Sequence, residues 1–518
     1  MTRLCVSIFV HDIAQARADA DAARQSGAEM VEFRVDELTA APAVCQLLAD
    51  LALPAVITCR PEGEGGHSRL DDARRFKLLA DAISPGVTHV DAELRAIEAG
   101  TPQPITRAGE RRADLIVSSH DFNGRPESLE GLVQRLEGGG ADVVKIVWTA
   151  QSILDNLEAF EILGRAKRPT IVLCMGEAGQ ISRVLAKKFG AFLSFAAIDK
   201  GKGTAPGQIS VGDMKKLYRW DALGPRTRVY GVVARPVAHS LSPAIQNAAF
   251  AHVGYDAVYL PFLVGADYEA FAEFMCRFVA FDALDLCGLS VTIPHKENAL
   301  KYLRETGGEI EELARRIGAV NTILIQGSGS SKRLIGRNTD YAAILDSIIA
   351  KLGIGLDDLA QLRVAVIGAG GTGRTATAAL AQYGATVVVY NRTRDRADAL
   401  AEEFNQRSGK VVAAPLEKLC DSCCHVFINC TSVGMYPNVE ASPLGERPPE
   451  FTDQTLVFDT IYNPARTRFL RQAEAAGAKT IGGMEMFVRQ AAAQFTMWTG
   501  KEAPVDVMRR AMEERVGR

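Results

Sequence analysis

Long apolar runs are missing from this chain. No stretch of its 518 residues is continuous and apolar enough to span a bilayer, which excludes a helical membrane protein. Excess charge is missing too: the net charge is −3, so a nucleic-acid binder's basic footprint is absent. No leader pattern opens the chain. The apolar stretch Leu4–Val10 is short, and His11-Asp12 ends it like a strand entering a loop. Cysteines number ten and are scattered, apart from Cys420, Cys423 and Cys424. No second ligand pair follows those three, so ordinary reduced thiols and no metal are expected. Hydrophobic residues make up 47% and charged residues 23%, both ordinary globular values. The expectation is a soluble, cytoplasmic protein of roughly two to four domains. Neither nucleic acid, nor membrane, nor an obligate protein partner is implied.

What is present is most legible in LRVAVIGAGGTGR, residues 362–374. A short apolar run, Val364 to Ile367, suits a buried parallel strand. Gly368, Gly370, Gly371 and Gly373 follow in a complete G-x-G-x-x-G, and then a helical pattern from Thr375 to Tyr383. Strand, glycine turn and helix in that order make a dinucleotide-binding turn. The helix start offers free N–H groups and a positive dipole end to phosphates. A second strand, Ala385 to Tyr390, ends in Asn391-Arg392-Thr393-Arg394. An acidic residue here would suit a free ribose hydroxyl. Arginine suits a 2′-phosphate, which favours NADP.

The first half alternates apolar strand-like runs with helical patterns. Strands are predicted at Leu4–Val10, Met30–Val35, Ala55–Cys59, His89–Leu94, Asp114–Ser119, Asp142–Trp148, Thr170–Met175 and Phe192–Ile198. Such a β–α alternation points to a closed (β/α)₈ barrel, with an open doubly wound sheet as the alternative. Barrels of this kind place their chemistry at the C-terminal ends of the strands. There the sequence puts Glu32, Arg34 and Asp36 on alternate positions of strand 2, and Arg60 at the end of strand 3. Glu64 follows in the next loop, and His120 ends strand 5. Lys145 lies within strand 6, Arg183 after strand 7, and Thr204 and Gln208 after strand 8.

Lys145 stands between valines and an isoleucine. Apolar surroundings lower an amine's pKa and make it a nucleophile toward carbonyls, so Schiff-base chemistry is expected. His120 could move a proton beside the imine, with Glu64 setting its tautomer. Three arginines suggest an anionic substrate, most simply a carboxylate.

The segments EFRVD (Glu32–Asp36), TCRPEGEGG (Thr58–Gly66), SSHDF (Ser118–Phe122), VVKIV (Val143–Val147), MGEAGQISR (Met175–Arg183) and TAPGQIS (Thr204–Ser210) resemble type I 3-dehydroquinate dehydratase. The resemblance implies that Lys145 forms an imine with the substrate ketone. It makes His120 the group that removes the neighbouring proton and helps expel water, with Glu64 orienting it. It implies substrate contacts for Glu32, Arg34, Arg60, Arg183, Thr204 and Gln208. Thr204 stands where serine is expected and keeps the hydroxyl.

A break at RWDALGPRT, residues 219–227, separates the halves. Beyond it, Ser240 and Ser242 precede Pro243 at a helix start. Two hydroxyls there could bind a carboxylate, or one could simply cap the helix. A strand running into Pro294-His295-Lys296 puts Lys296 at an exposed turn, and GRNTD ends in Asp340. A lysine and an aspartate beside a nicotinamide would suit proton delivery during carbonyl reduction.

The stretches AHSLSP, SVTIPHK, GAVNT, GRNTD, VIGAGGTGRT, YNRT, INCTSVGMYP, FDTIYNP and GGMEMFVRQA together resemble shikimate dehydrogenase. That resemblance implies Lys296 and Asp340 as the catalytic pair. It implies substrate contacts for Ser240, Ser242, Thr292, Asn321, Tyr462 and Gln490. Asn391, Arg392 and Thr393 would read the 2′-phosphate, with Thr431, Ser432, Gly434 and Met435 along the cofactor. His295 replaces a common phenylalanine and Gln246 a frequent histidine. Both departures bear on the choice between shikimate and quinate.

The expected architecture is α/β throughout. A (β/α)₈ barrel over residues 1–222 precedes a two-domain dehydrogenase unit: a shikimate-binding domain at 228–335, a Rossmann NADP domain at 336–480, and C-terminal helices at 481–518 returning to the substrate domain. The expected function is bifunctional: imine dehydration of 3-dehydroquinate, then NADPH-dependent reduction to shikimate. The alternatives are a dehydrogenase half that prefers quinate, or an NADP-binding regulator without turnover.

Overall fold

Each predicted strand of the first half is an apolar run, and in the computed structural model each becomes a strand buried on both faces. The structure describes residues 2–83, 87–103, 113–199, 201, 203–408, 410–445 and 449–516. The barrel strands are β1 (Arg3–Phe9), β2 (Met30–Arg34), β3 (Ala55–Thr58), β4 (Val87–Glu93), β5 (Asp114–Asp121), β6 (Val143–Thr149), β7 (Thr170–Met175) and β8 (Leu193–Ala196). They run β7-β6-β5-β4-β3-β2-β1-β8 in one sheet. Its two ends meet where the Phe192 N–H donates to the Thr170 carbonyl at 2.8 Å. The barrel alternative is therefore the observed one. Alternation along the strands sends Cys5, Met30, Val56, Ile116, Val143, Ile171, Leu193 and Phe195 into one interior cluster.

After the barrel comes a mixed six-stranded sheet: β9 (Arg228–Ala234), β10 (Ala257–Leu263), β11 (Leu286–Val291), β12 (Glu309–Ile310), β13 (Thr322–Gln326) and β14 (Arg333–Arg337). Its spatial order is β10-β9-β11-β13-β14-β12. β13 runs antiparallel to both β11 and β14. Helix Gly483–Thr499 returns to this sheet: Gln494 Nε2 donates to Thr322 Oγ1 at 2.9 Å, and Trp498 Nε1 to the Ile323 carbonyl at 3.3 Å.

A third sheet is wholly parallel: β15 (Arg363–Ile367), β16 (Thr386–Tyr390), β17 (Val411–Ala414), β18 (Val426–Asn429), β19 (Leu456–Asp459) and β20 (Lys479–Ile481). The order β17-β16-β15-β18-β19-β20 reverses direction at β15, where dinucleotides bind in doubly wound sheets. Its central strands carry apolar runs, residues 364–367 and 387–390 among them, because helices cover both faces.

The chain divides into two compact units. One is Met1–Val229 with Asp256–Gly265 and Phe274–Asp285; the other is Tyr230–Tyr255, Ala266–Glu273 and Leu286–Arg518. Among the described residues no helix is long and apolar enough to cross a membrane. No group of three metal-ligating side chains is placed to hold an ion there either.

Candidate active sites

Inside the barrel, polar side chains replace the apolar cluster toward the C-terminal ends of the strands. Lys145 shares its pleat with Val143 and Val147 and is 4% exposed. The sequence suggested an apolar sleeve around it. The structure corrects this: Val144 and Ile146 lie on the opposite pleat. The ammonium instead sits 2.8 Å from Asp91 Oδ2 and 3.4 Å from Glu32 Oε1, over the Phe195 ring. Ser7 and Thr58 hydroxyls donate to Glu32 at 2.6 and 2.8 Å. Arg60 donates to Asp91 and to Glu93, each at 2.7 Å, and to the Ser118 hydroxyl at 2.8 Å. Burial would raise the Asp91 carboxyl, but Arg60 and then Lys145 outweigh it and hold it well below the usual carboxylate range.

Asp91, Glu93 and Ser118 were not singled out from sequence. The signal was there, since His89, Asp91 and Glu93 occupy alternate positions of one strand. Arg75 extends the network outward, donating to Glu93 at 2.8 Å.

His120 lies above this layer. Its Nδ1 is 3.2 Å from Glu64 Oε2, and its own backbone N–H donates to the same oxygen. Burial, then Arg60 and Lys145, push the imidazole well below its ordinary pKa, which favours its uncharged form. Burial raises the Glu64 carboxyl to about 7 against the pull of Arg60. Glu64 reaches this place through a tight turn: Gly65 takes φ +73, and a Cβ there would lie 2.1 Å from the Phe122 ring.

Arg183 stands not in a loop but on the short helix Gln180–Val184. It is fully buried, its nearest acceptor is the Pro206 carbonyl at 3.4 Å, and Nε has no partner. No carboxylate among the described residues pairs with it. Burial alone brings its guanidinium down to about 10. Thr204 and Gln208 bond each other: Gln208 Nε2 donates to Thr204 Oγ1 at 3.2 Å. All nine barrel residues predicted as site residues line one cavity of about 50 Å³.

In the second unit, Lys296 opens helix Lys296–Glu305 and Asp340 opens helix Asp340–Leu352. Lys296 Nζ donates to Asp340 Oδ2 at 2.5 Å. The expectation of an exposed lysine is corrected: it is 8% exposed, because these two helix starts face each other. Asn338 fixes Asp340, accepting its N–H at 3.1 Å, and donates across to the Ala319 carbonyl at 3.0 Å.

Asn321 is held internally, donating to Thr339 Oγ1 at 2.9 Å and accepting from Thr322 Oγ1 at 2.7 Å. Ser240 Oγ accepts the Ser242 N–H at 3.3 Å, and helix Ser242–His252 begins with no other side-chain cap. Thr292 passes its N–H to the Val233 carbonyl at the end of β11. The Tyr462 ring packs on Phe487, and Gln490 donates to the Phe487 carbonyl at 3.0 Å. The two departures are both fully buried. His295 stacks on Phe271 at 5.2 Å, and Gln246 Nε2 donates to the Ala491 carbonyl at 2.9 Å.

The glycine turn fits a dinucleotide. Helix Gly371–Gln382 begins inside the motif, earlier than predicted. Gly373 therefore packs in the first turn, where a Cβ would lie 1.9 Å from the Gly368 carbonyl oxygen. Beside Gly370 a Cβ would meet nothing within 4 Å, which leaves open space for a pyrophosphate. The Ala369 N–H donates to Asn391 Oδ1 at 3.2 Å, tying the turn to the end of β16. Arg394 is engaged by Asp398 at 2.8 Å. Arg392 is exposed, and no carboxylate among the described residues engages it.

Thr431 lies on the loop after β18, where its N–H and hydroxyl both donate to Asn429 Oδ1. Ser432 and Met435 continue that loop, joined by a bond from Met435 N–H to the Ser432 carbonyl at 3.1 Å, and Gly434 takes φ +98. Asn429 donates to Asp459 at 3.1 Å, and Asp459 also accepts from Ile461 N–H at 3.0 Å, so one buried carboxyl braces two loops.

Fold and sites together define a class: a lysine-bearing (β/α)₈ barrel joined to a two-lobed dinucleotide-binding dehydrogenase. Residues 4–225 match the type I 3-dehydroquinase family. Residues 232–323 match the shikimate dehydrogenase substrate binding domain, 350–460 the shikimate / quinate 5-dehydrogenase family, and 483–513 the shikimate 5′-dehydrogenase C-terminal domain. A bifunctional 3-dehydroquinate dehydratase/shikimate dehydrogenase, chloroplastic, of Arabidopsis thaliana is 37% identical over 97% of this chain and 83% of its own. A shikimate dehydrogenase (NADP(+)) of Methanopyrus kandleri is 40% identical over 56% of this chain and 96% of its own. The solved dehydroquinate dehydratase and shikimate dehydrogenase from S. pombe is 25% identical, covers 99% of this chain and 98% of its own, and aligns with a TM-score of 0.43. The chain belongs to the family of bifunctional 3-dehydroquinate dehydratase/shikimate dehydrogenases.

Proposed function

We propose that the barrel dehydrates 3-dehydroquinate through an imine on Lys145, and that the second unit reduces the resulting 3-dehydroshikimate to shikimate with NADPH. One observation supports the first half above all. A single chamber brings together a lysine, an imidazole pushed below its ordinary pKa and a buried guanidinium with no carboxylate partner among the described residues. A buried unpaired cation is costly unless an anion completes it, and the substrate carboxylate is that anion. Lys145 attacks the ketone carbon in its uncharged form, and the proton its ammonium gives up returns to the carbonyl oxygen, which leaves as water when the C=N bond forms. His120 takes the proton from the adjacent carbon, and the electron pair moves into the imine. The same imidazolium protonates the departing hydroxyl, which leaves as water. Hydrolysis frees the amine. Glu32, Arg34, Arg60, Thr204 and Gln208 hold the ring in place.

Nδ1 of His120 faces Glu64, so Nε2 is the base. An ionised Glu64 accepts the Nδ1 proton and leaves the Nε2 lone pair free. A protonated Glu64 donates to Nδ1 and moves the ring proton onto Nε2, which disables the base. With the carboxyl raised to about 7, kcat/KM for dehydration rises as pH increases through about 7 and then levels. In Glu64→Gln that acid limb disappears, because the amide oxygen accepts the same bond and does not titrate. A pH–rate profile showing the same limb in Glu64→Gln would remove Glu64 from this role.

In the second unit the backbone of Gly368, Gly370, Gly371 and Gly373 would hold the pyrophosphate, and Asn391, Arg392 and Thr393 the 2′-phosphate. Thr431, Ser432, Gly434 and Met435 would line the nicotinamide side. NADPH supplies the hydride when bound. Lys296, steadied by Asp340, gives a proton to the carbonyl oxygen. Ser240, Ser242, Thr292, Asn321, Tyr462 and Gln490 hold the substrate. Arg392→Ala is expected to raise the KM for NADPH about 10- to 100-fold, the worth of charge-assisted hydrogen bonds. Its KM for NADH stays unchanged. An equal rise for both coenzymes would contradict the assignment. The same reading has the chain working in the cytoplasm without an obligate protein partner. No disulfide joins the cysteines among the described residues, which suits a reducing compartment.

A further inference from the structure

An ammonium has three N–H bonds to give. Lys296 gives one to Asp340 Oδ2 at 2.5 Å and a second to Thr372 Oγ1 at 3.2 Å. The third remains for a substrate oxygen. Thr372 does not belong to the lobe that carries Lys296. It sits in the glycine-rich turn, between Gly371 and Gly373. The same approach accounts for Gly371. A Cβ there would meet Lys296 Cδ at 3.0 Å and Lys296 Cβ at 3.3 Å. The small residue makes room for the lysine stem, while its backbone is ordinary helix.

We propose that Thr372 is a positioning residue: its hydroxyl, carried on the cofactor turn, aims the Lys296 ammonium at the reacting oxygen of the substrate. Two fixed partners determine where the third N–H points. Asp340 alone leaves the ammonium free to swing about a single bond, whereas Asp340 and Thr372 together define its direction. Because Thr372 rides on the turn that takes the pyrophosphate, one turn serves both the cofactor and the proton donor. The proposal rests on reading Lys296 and Asp340 as the proton-handling pair.

The test is steady-state reduction of 3-dehydroshikimate by the full chain carrying Thr372→Val or Thr372→Ser. In Thr372→Val, kcat is expected to fall about 10-fold, the scale of one hydrogen bond to a charged group. KM for both NADPH and 3-dehydroshikimate stays within about 2-fold, since the lost contact acts in the transition state. Thr372→Ser keeps the hydroxyl and returns kcat to within about 2-fold of the unaltered chain.

Unchanged kcat in Thr372→Val overturns the proposal. So does a Thr372→Ser variant as slow as Thr372→Val, which would assign the effect to methyl packing. Should Thr372→Val fail to bind NADP, Thr372→Ala takes its place with the same expected loss and the same overturning result. Lys296→Ala, assayed alongside, separates the two levels. Retained reduction there defeats the catalytic pair itself. Lost reduction there, with full kcat in Thr372→Val, defeats only the positioning role.

Discussion

Lys145→Ala abolishes dehydration of 3-dehydroquinate and leaves reduction of 3-dehydroshikimate at its full rate. Among the described residues that line the cavity Lys145 is the only amine: the groups around it are Asp91, Glu32, Arg60 and the Phe195 ring, and none of these forms an imine. Substrate still binds in this variant through Arg183, Thr204 and Gln208, so the loss falls on kcat. His120→Ala gives the complementary result. It keeps the amine, so borohydride added with 3-dehydroquinate still traps a reduced adduct on Lys145 by mass. Turnover meanwhile falls about 10²–10⁴-fold, the usual contribution of a positioned acid–base. Dehydration surviving in Lys145→Ala, or an adduct on another residue, would end the imine account.

Lys296→Ala and Asp340→Asn do the reverse. Reduction falls about 10²–10⁴-fold in each, while the barrel dehydrates as before. The two effects are far from additive. The side chains act as one unit joined at 2.5 Å, so the double variant is expected to lose little more than either single one. Additive losses in the double-mutant cycle would show that the two groups work independently. Asp340→Asn also removes the charge that holds the ammonium, so its loss appears mainly in kcat. A large rise in the KM for 3-dehydroshikimate with normal kcat would recast Asp340 as a substrate-binding group.

Much of this was legible in the sequence, for a physical reason. Parallel strands buried on both faces are continuous apolar runs, so the barrel and Rossmann strands announce themselves. Thr170–Met175 is found where it was predicted, and the other barrel strands differ by only a few residues at their ends. Glycine turns and strand-end charges carry local signatures as well. The charged partners inside the barrel do not. Asp91 meets Lys145 across 54 positions of sequence and Arg60 across 31, and only the closed barrel brings them together. For the same reason the apolar neighbours of Lys145 misled: in a strand the adjacent residues face the other way. Lys296 looked exposed because its turn reads as surface, and Asp340, 44 positions away, is what encloses it. Thr372 was hidden in a motif whose spacing draws attention to its glycines, while its contact spans 76 positions.

On the proposed function one chain carries both reactions in sequence, with Lys145 starting the first. The most direct measurement is NADPH oxidation by the purified full chain supplied with 3-dehydroquinate alone, beside the same assay on Lys145→Ala. Steady oxidation is expected from the unaltered chain and none from the variant, with both oxidising NADPH once 3-dehydroshikimate is added. An unaltered chain that reduces 3-dehydroshikimate but never consumes NADPH with 3-dehydroquinate would contradict that function.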